Sequence, residues 1–206
     1  MKKRLSLLIT MLILGSVSAV AGNAAGGEAS LESGGITGKI EVRGVRDARD
    51  VVVYLEDVSG EFVPPAEKPL IDQENLVFAP HVLPVMVGTT VNFGNSDNVQ
   101  HSVFSPSKGQ KFNLGTFGEG VVREVTFTSP GVVAILCNVH AEMSAYIVIL
   151  ENPFFVLTEA DGTFTIPDVP PGEYTISTWH EKLRDSSQKI TVNDGETTNV
   201  NLELRR

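Results

Sequence analysis

Four side chains near the middle of the chain have the types and spacing to hold a metal. Cys137-Asn-Val-His140-Ala-Glu-Met143 places a thiol, an imidazole and a thioether at positions i, i+3 and i+6. That spacing suits a tight loop leaving the end of a strand, where all three groups can turn towards one centre. A second imidazole, His101, lies 36 residues before Cys137, ahead of the strand-like Ser102-Val-Phe-Ser105. Two imidazoles, one thiolate and a weak axial thioether make up the donor set of a blue-copper electron-transfer site. Cys137 as thiolate would supply the strong covalent bond and the visible absorption. The imidazoles accept both Cu(I) and Cu(II), and Met143, soft and distant, favours Cu(I). The expectation is one type 1 copper per chain, held by His101, Cys137, His140 and Met143.

Other readings of the same residues are weaker. Zinc binds Cys and His well but has no use for a thioether, and structural zinc sites usually carry more thiolates. A purely structural account would make Cys137 a buried core residue beside a surface histidine and a core methionine. Glu142 is the alternative donor if Met143 is not one, and would give a site without blue colour. Only four histidines exist, His81, His101, His140 and His180, too few for a trinuclear copper cluster and hence for a multicopper oxidase. The single cysteine excludes an intrachain disulfide, a Cys-rich zinc site, a thioredoxin-type pair, haem attached through two cysteines and a binuclear copper site bridged by two.

The elements that must position these groups read as strands. Apolar residues alternate with polar ones in Ile36–Val42, Thr89–Phe93 and Arg123–Thr128, whereas Asp50–Glu56, Val132–Cys137 and Ala145–Leu150 are β-rich or continuous apolar runs suited to the core of a sandwich. Thr163–Ile166, Glu173–Trp179, Lys189–Val192 and Thr197–Leu204 follow. Between them stand turn residues: Ser129-Pro-Gly131, Asp161-Gly162, Pro170-Pro-Gly172 and Asn193-Asp-Gly195. No dozen-residue stretch shows a period of 3.6. The fold class expected is all-β, in sandwich layers.

Residues 1–21 read as an export signal: basic Met1-Lys-Lys-Arg4, an apolar run from Leu5 to Leu14, and Ala19-Val-Ala21 as an A-x-A cleavage site. The run is short for a membrane span, and no nearby cysteine offers a lipid attachment point. An uncleaved N-terminal anchor is the alternative. Residues 22–34 are small, polar and Gly-rich, the composition of a flexible leader. The 206 residues carry a net charge of −9, and without residues 1–21 13 cations face 25 anions, or −12. So acidic a surface suits neither nucleic acid nor anionic lipid. The expected location is the periplasm, with no membrane span after signal cleavage, as a monomer.

Val91-Asn-Phe-Gly-Asn-Ser-Asp-Asn-Val-Gln-His101-Ser-Val and the Cys-x2-His-x2-Met loop at residues 137–143 resemble the ligand-bearing segments of the cupredoxins, of the plastocyanin and amicyanin kind. Phe78-Ala-Pro80 followed by Val85-x-Val87-Gly88-Thr89-x-Val91 resembles their usual lead-in. The likeness covers about residues 70–150 and implies a Greek-key sandwich binding type 1 copper. Two positions depart from the pattern. Ser102 follows the first histidine where Asn is typical, and Asn138 follows the cysteine where Ser or Thr is common. A hydrogen bond bracing the two ligand loops would then survive with roles exchanged. Ala141 replaces a common proline.

Thr158-Glu-Ala-Asp-Gly-Thr-Phe-Thr-Ile-Pro-Asp-Val-Pro-Pro-Gly-Glu-Tyr-Thr-Ile176 resembles the carboxypeptidase regulatory-like, or transthyretin-like, sandwich, with Asp161-Gly162 and Pro171-Gly172 expected to close hairpins. Only 55 residues follow Glu151, which is short for such a domain, and Gly35–Val42 and Asp50–Glu56 resemble its first two strands. The organisation expected is therefore a cupredoxin, residues 60–151, inserted between N-terminal strands in 35–59 and the remaining sandwich strands in 152–206. Trp179 is expected at a strand end beside an exposed His180, His81 as a plain loop histidine, and Phe112, Leu114 and Phe117 packed beneath the ligand loops. No catalytic constellation stands out, so an enzyme is not expected. The reading favoured is an electron carrier between periplasmic donor and acceptor proteins. The alternative is a copper storage, delivery or partner-binding module.

Overall fold

A computed structural model describes residues 32–206, so the segments read as signal peptide and most of the leader lie outside the described residues. None of the described residues is helical, and no helix among them is long and apolar enough to cross a membrane. The chain is all-β.

The described residues form sixteen strands in order: β1 (Gly34–Arg43), β2 (Val52–Glu56), β3 (Leu70–Glu74), β4 (Val77–Ala79), β5 (Val82–Met86), β6 (Thr90–Phe93), β7 (His101–Ser105), β8 (Phe112–Phe117), β9 (Arg123–Thr126), β10 (Gly131–Leu136), β11 (Ser144–Leu150), β12 (Phe155–Leu157), β13 (Thr163–Val169), β14 (Gly172–Trp179), β15 (Ser187–Val192) and β16 (Thr197–Arg205). They form four sheets, ordered β13-β1-β16, β12-β2-β14-β15, β5-β11-β10-β7-β8 and β4-β3-β6-β9. The first two enclose a core that includes Ile36, Ile40, Val53, Leu55, Ile166, Ile176 and Leu202. The last two enclose another, with Ile71, Phe93, Val103, Ile135, Ile147 and Met143.

A third apolar layer joins the two sandwiches. It holds Val52, Val82, Val148 and Leu150, with Tyr54, Tyr146, Phe155, Leu157 and Trp179 packed against them. Period-two alternation explains it. On β11, Ala145, Ile147 and Ile149 face the central core, while Tyr146, Val148 and Leu150 face the seam. On β2, Val53 and Leu55 face the flanking core, while Val52 and Tyr54 face the seam. Both strands are covered on both faces, so both read in sequence as unbroken apolar runs.

β1 is the middle strand of its sheet, parallel to β16 and antiparallel to β13; β2 lies between β12 and β14. β1 begins at Gly34, the last residue of the stretch read as leader. At Gly38 an added Cβ would overlap the Val200 carbonyl oxygen and come within 2.7 Å of the Phe164 ring. Gly38→Ala is therefore expected to push β1 away from β16 and destabilise the fold by about 1–3 kcal/mol, the usual cost of overpacking. A drop in Tm of the metal-free protein checks this; an unchanged Tm would mean the strands part freely.

Two turns differ from expectation. Asp161-Gly162 leads from β12 to β13 and Pro171-Gly172 from β13 to β14, and in each case the two strands lie in different sheets. These turns cross between layers and close no hairpin. The hairpins are instead β3–β4, β7–β8, β10–β11 and β14–β15. Phe117 is buried, and Phe112 and Leu114 pack partly buried against the central core, as β8 requires.

Candidate metal centre

Sheet order assembles the centre. β10 runs antiparallel to both β7 and β11, so the start of β7, the end of β10 and the start of β11 share one end of the sandwich. His101 opens β7, Cys137 follows β10, and Met143 immediately precedes β11. The loop between Cys137 and Met143 carries His140. The ligand atoms of His101, Cys137 and His140 all lie within 4.8 Å of one another. His101 is fully buried, Cys137 is 5% exposed and Met143 1%. His140 is half-buried, between exposed Val139 and Ala141, and Glu142 is exposed.

The two imidazoles face each other through their Nδ1 atoms, 3.0 Å apart. His101 Nε2 lies 2.8 Å from Asp97 Oδ2. A carboxylate only accepts, so Nε2 carries the proton and Nδ1 keeps its lone pair for the centre. This is the carboxylate–histidine arrangement that orients metal-binding imidazoles. Two nitrogens sharing one ion at about 2.0 Å each would stand about 3 Å apart, as these do.

Asp97 was not singled out in the sequence. It sits four residues before His101 and also accepts the N–H groups of Asn75 (2.7 Å) and Leu76 (3.0 Å). Both residues have positive φ, 56° and 61°, in the turn between β3 and β4, a conformation costly for leucine. The Leu76 N–H, chiefly, and the His101 and Asn75 bonds outweigh partial burial and hold the Asp97 carboxyl below its ordinary range. Asn95 stiffens the same loop: its amide donates to the Val99 and Phe117 carbonyls, and its side-chain oxygen accepts the Asp97 N–H.

Ser102 braces the ligand loops. Its N–H points at Cys137 Sγ (3.5 Å), and its hydroxyl oxygen accepts the Asn138 N–H at 2.7 Å. The brace therefore runs from the Ser102 side chain to the Asn138 backbone. Burial pushes the Cys137 thiol up, but the N–H groups of Ser102, His140 and Val139 outweigh it, and the thiol lies below its ordinary value. A low-lying thiol favours the thiolate, which is the form that binds metal.

Two other histidines differ from expectation. His180 is buried, 9% exposed, with its Nδ1 accepting the Lys182 N–H at 3.0 Å. Burial, above all, lowers its pKa. His81 is no plain loop residue: both ring nitrogens have partners, the Ser144 carbonyl and Glu181.

Residues 144–205 match the family model of the carboxypeptidase regulatory-like domain. The match takes in β11–β16; β1 and β2, which complete the two sheets formed by β12–β16, precede it. Among solved structures, a purple cupredoxin from Nitrosopumilus maritimus is similar at 24% identity over 40% of this chain and 100% of its own, with a TM-score of 0.37. A reduced amicyanin variant is similar at 19% identity, covering 48% of this chain and 98% of its own, with a TM-score of 0.39. A copper-containing nitrite reductase from Thermus scotoductus SA-01 is similar at 24% identity over 55% of this chain, with a TM-score of 0.41; this chain spans 28% of that enzyme. A comparison with curated proteins found no match.

Proposed function

We propose that residues 60–151 form a type 1 copper module and that the protein carries single electrons between redox proteins outside the cytoplasm. The observation that carries this reading is the convergence of ligand atoms from His101, His140 and Cys137 within 4.8 Å of one another, the two imidazole Nδ1 atoms 3.0 Å apart, with Met143 buried in the same core. Copper bound there would supply a one-electron Cu(II)/Cu(I) couple. The chain supplies the rest. Asp97 fixes the His101 tautomer, Ser102 ties the Cys137 loop to the His101 strand, and β10 holds both loops to one rigid sheet. Ligands held this way by the fold itself keep their places in either oxidation state. His140, half-buried among exposed neighbours, is the ligand nearest a docking partner. In this proposal the flanking sandwich, residues 35–59 with 152–206, encloses no redox group of its own.

Met143→Gln tests the reading. A harder oxygen donor favours Cu(II), so the reduction potential is expected to fall, by roughly 59 mV for each tenfold change in relative affinity in a one-electron couple. Cyclic voltammetry with metal content measured alongside reads both. An unmoved potential would remove Met143 from the ligand set. Loss of copper would mark a loose, exchangeable site suited to delivery instead of electron transfer.

A further inference from the structure

Away from the metal centre, a network of polar side chains crosses the seam between the two sandwiches. His81 lies between β4 and β5 of the central sandwich, and Glu181 follows β14 of the flanking one. His81 Nε2 is 3.2 Å from Glu181 Oε1, and its Nδ1 is 3.1 Å from the Ser144 carbonyl oxygen. Lys182 Nζ reaches the same Glu181 oxygen at 2.7 Å. The His81 carbonyl in turn accepts the Tyr146 N–H at 2.8 Å. The His81 ring stands edge-on to Tyr146 at 5.7 Å, and Tyr146 packs against Trp179 at 5.4 Å.

A carbonyl and a carboxylate both accept, so both His81 nitrogens must donate for both bonds to stand at once. Burial pushes the Glu181 carboxyl up, but its hydrogen bonds from Lys182 and His81 outweigh that and hold it below its ordinary value. Glu181 thus stays ionised near neutral pH as the acceptor that orients the ring.

The apolar seam already holds the sandwiches together, but burial is non-directional. Placing the first residue of β11 falls to directional contacts, the first being the ladder, which pairs Ser144 with Leu136 of β10. The hydrogen bond from His81 to the Ser144 carbonyl adds a second directional hold. Ser144 directly follows Met143, and the Met143 N–H bonds to the His140 carbonyl at 3.1 Å. Met143 is therefore suspended between two anchored points, one inside the ligand loop and one held by His81, whose ring is oriented by Glu181 of the flanking sandwich.

We propose that His81 and Glu181 are positioning residues through which the flanking sandwich fixes Met143 at the metal centre. The proposal rests on the copper reading above, in that Met143 would be one of the residues holding the metal there. It assigns the flanking sandwich a role in tuning the centre.

The test uses the full chain as Glu181→Gln and His81→Phe. In the metal-free proteins, amide exchange at residues 143–146 is expected to rise about tenfold in both variants, as local opening becomes easier. In the copper-loaded proteins, the reduction potential is expected to leave the wild-type value in both, with copper content retained. Wild-type exchange rates would overturn the proposal. Faster exchange at a wild-type potential would overturn it equally, since the bonds would then hold only a strand end. If His81→Phe fails to fold, Glu181→Gln, which removes a charge and almost no volume, decides. A wild-type chain that takes up no copper would overturn the copper reading instead, and the exchange measurement would then decide the anchoring alone.

Discussion

Cys137→Ser is expected to abolish the visible absorption of the copper-loaded protein and to weaken copper binding by more than the roughly 10–100-fold that loss of an outer-shell partner costs. A hydroxyl stays protonated where the thiol, drawn down by the surrounding N–H groups, yields a thiolate. His101 and His140 would remain, so residual binding without colour is the expected state. The fold should survive. Serine is nearly isosteric, and its oxygen can still accept the Ser102 N–H that now points at Sγ. The hydroxyl would nevertheless sit in an apolar core, at a cost of about 1–2 kcal/mol. A visible spectrum, metal analysis and thermal unfolding of the metal-free variant check all three points. A variant that stayed blue would falsify the role given to Cys137.

Deleting residues 32–58 is expected to unfold the flanking sandwich while leaving the metal centre assembled. The deletion removes Ile36, Ile40, Val51, Val53 and Leu55, each no more than 1% exposed. At about 1.5–3 kcal/mol for each buried aliphatic side chain, the loss is on the order of a small domain's whole stability. It also takes the middle strand out of the β13-β1-β16 sheet and separates β12 from β14. Amide exchange protection over residues 163–205 should therefore collapse. The sheet that carries the ligands, β5-β11-β10-β7-β8, contains neither deleted strand, so copper uptake and colour should persist. The truncated protein should be less soluble, because Tyr146, Val148 and Leu150 lose their cover. Full protection after residue 158 would show that β13–β16 fold without their N-terminal partners.

Three of the four candidate donors were legible together because they are local. Cys137, His140 and Met143 fall within seven residues, and a short loop leaving a strand can turn all three the same way whatever surrounds it. The strand content was legible for the same reason, since period-two alternation is written into neighbouring residues. Asp97 was not legible: an acidic residue four positions before a histidine is commonplace, and only the turn at Asn75 and Leu76, brought in by β3 and β4, makes it a hub. His81 and His180 likewise take their character from residues far away in the chain. His81 gains Ser144 and Glu181 as partners, and His180 loses its expected exposure.

Local pattern was enough to make the chain all-β and to put a thiol, an imidazole and a thioether on one loop. Tertiary structure decided which turns close hairpins, because Asp161-Gly162 has the same local chemistry whether its strands pair or cross to opposite sheets. It decided that β2 and β11 are covered on both faces, which an unbroken apolar run allows but does not require. It also decided that His101 meets Cys137, since only the antiparallel pairing of β7 with β10 brings together residues that are 36 apart. In each case the deciding contact joins distant parts of the chain, and no local pattern encodes its partner.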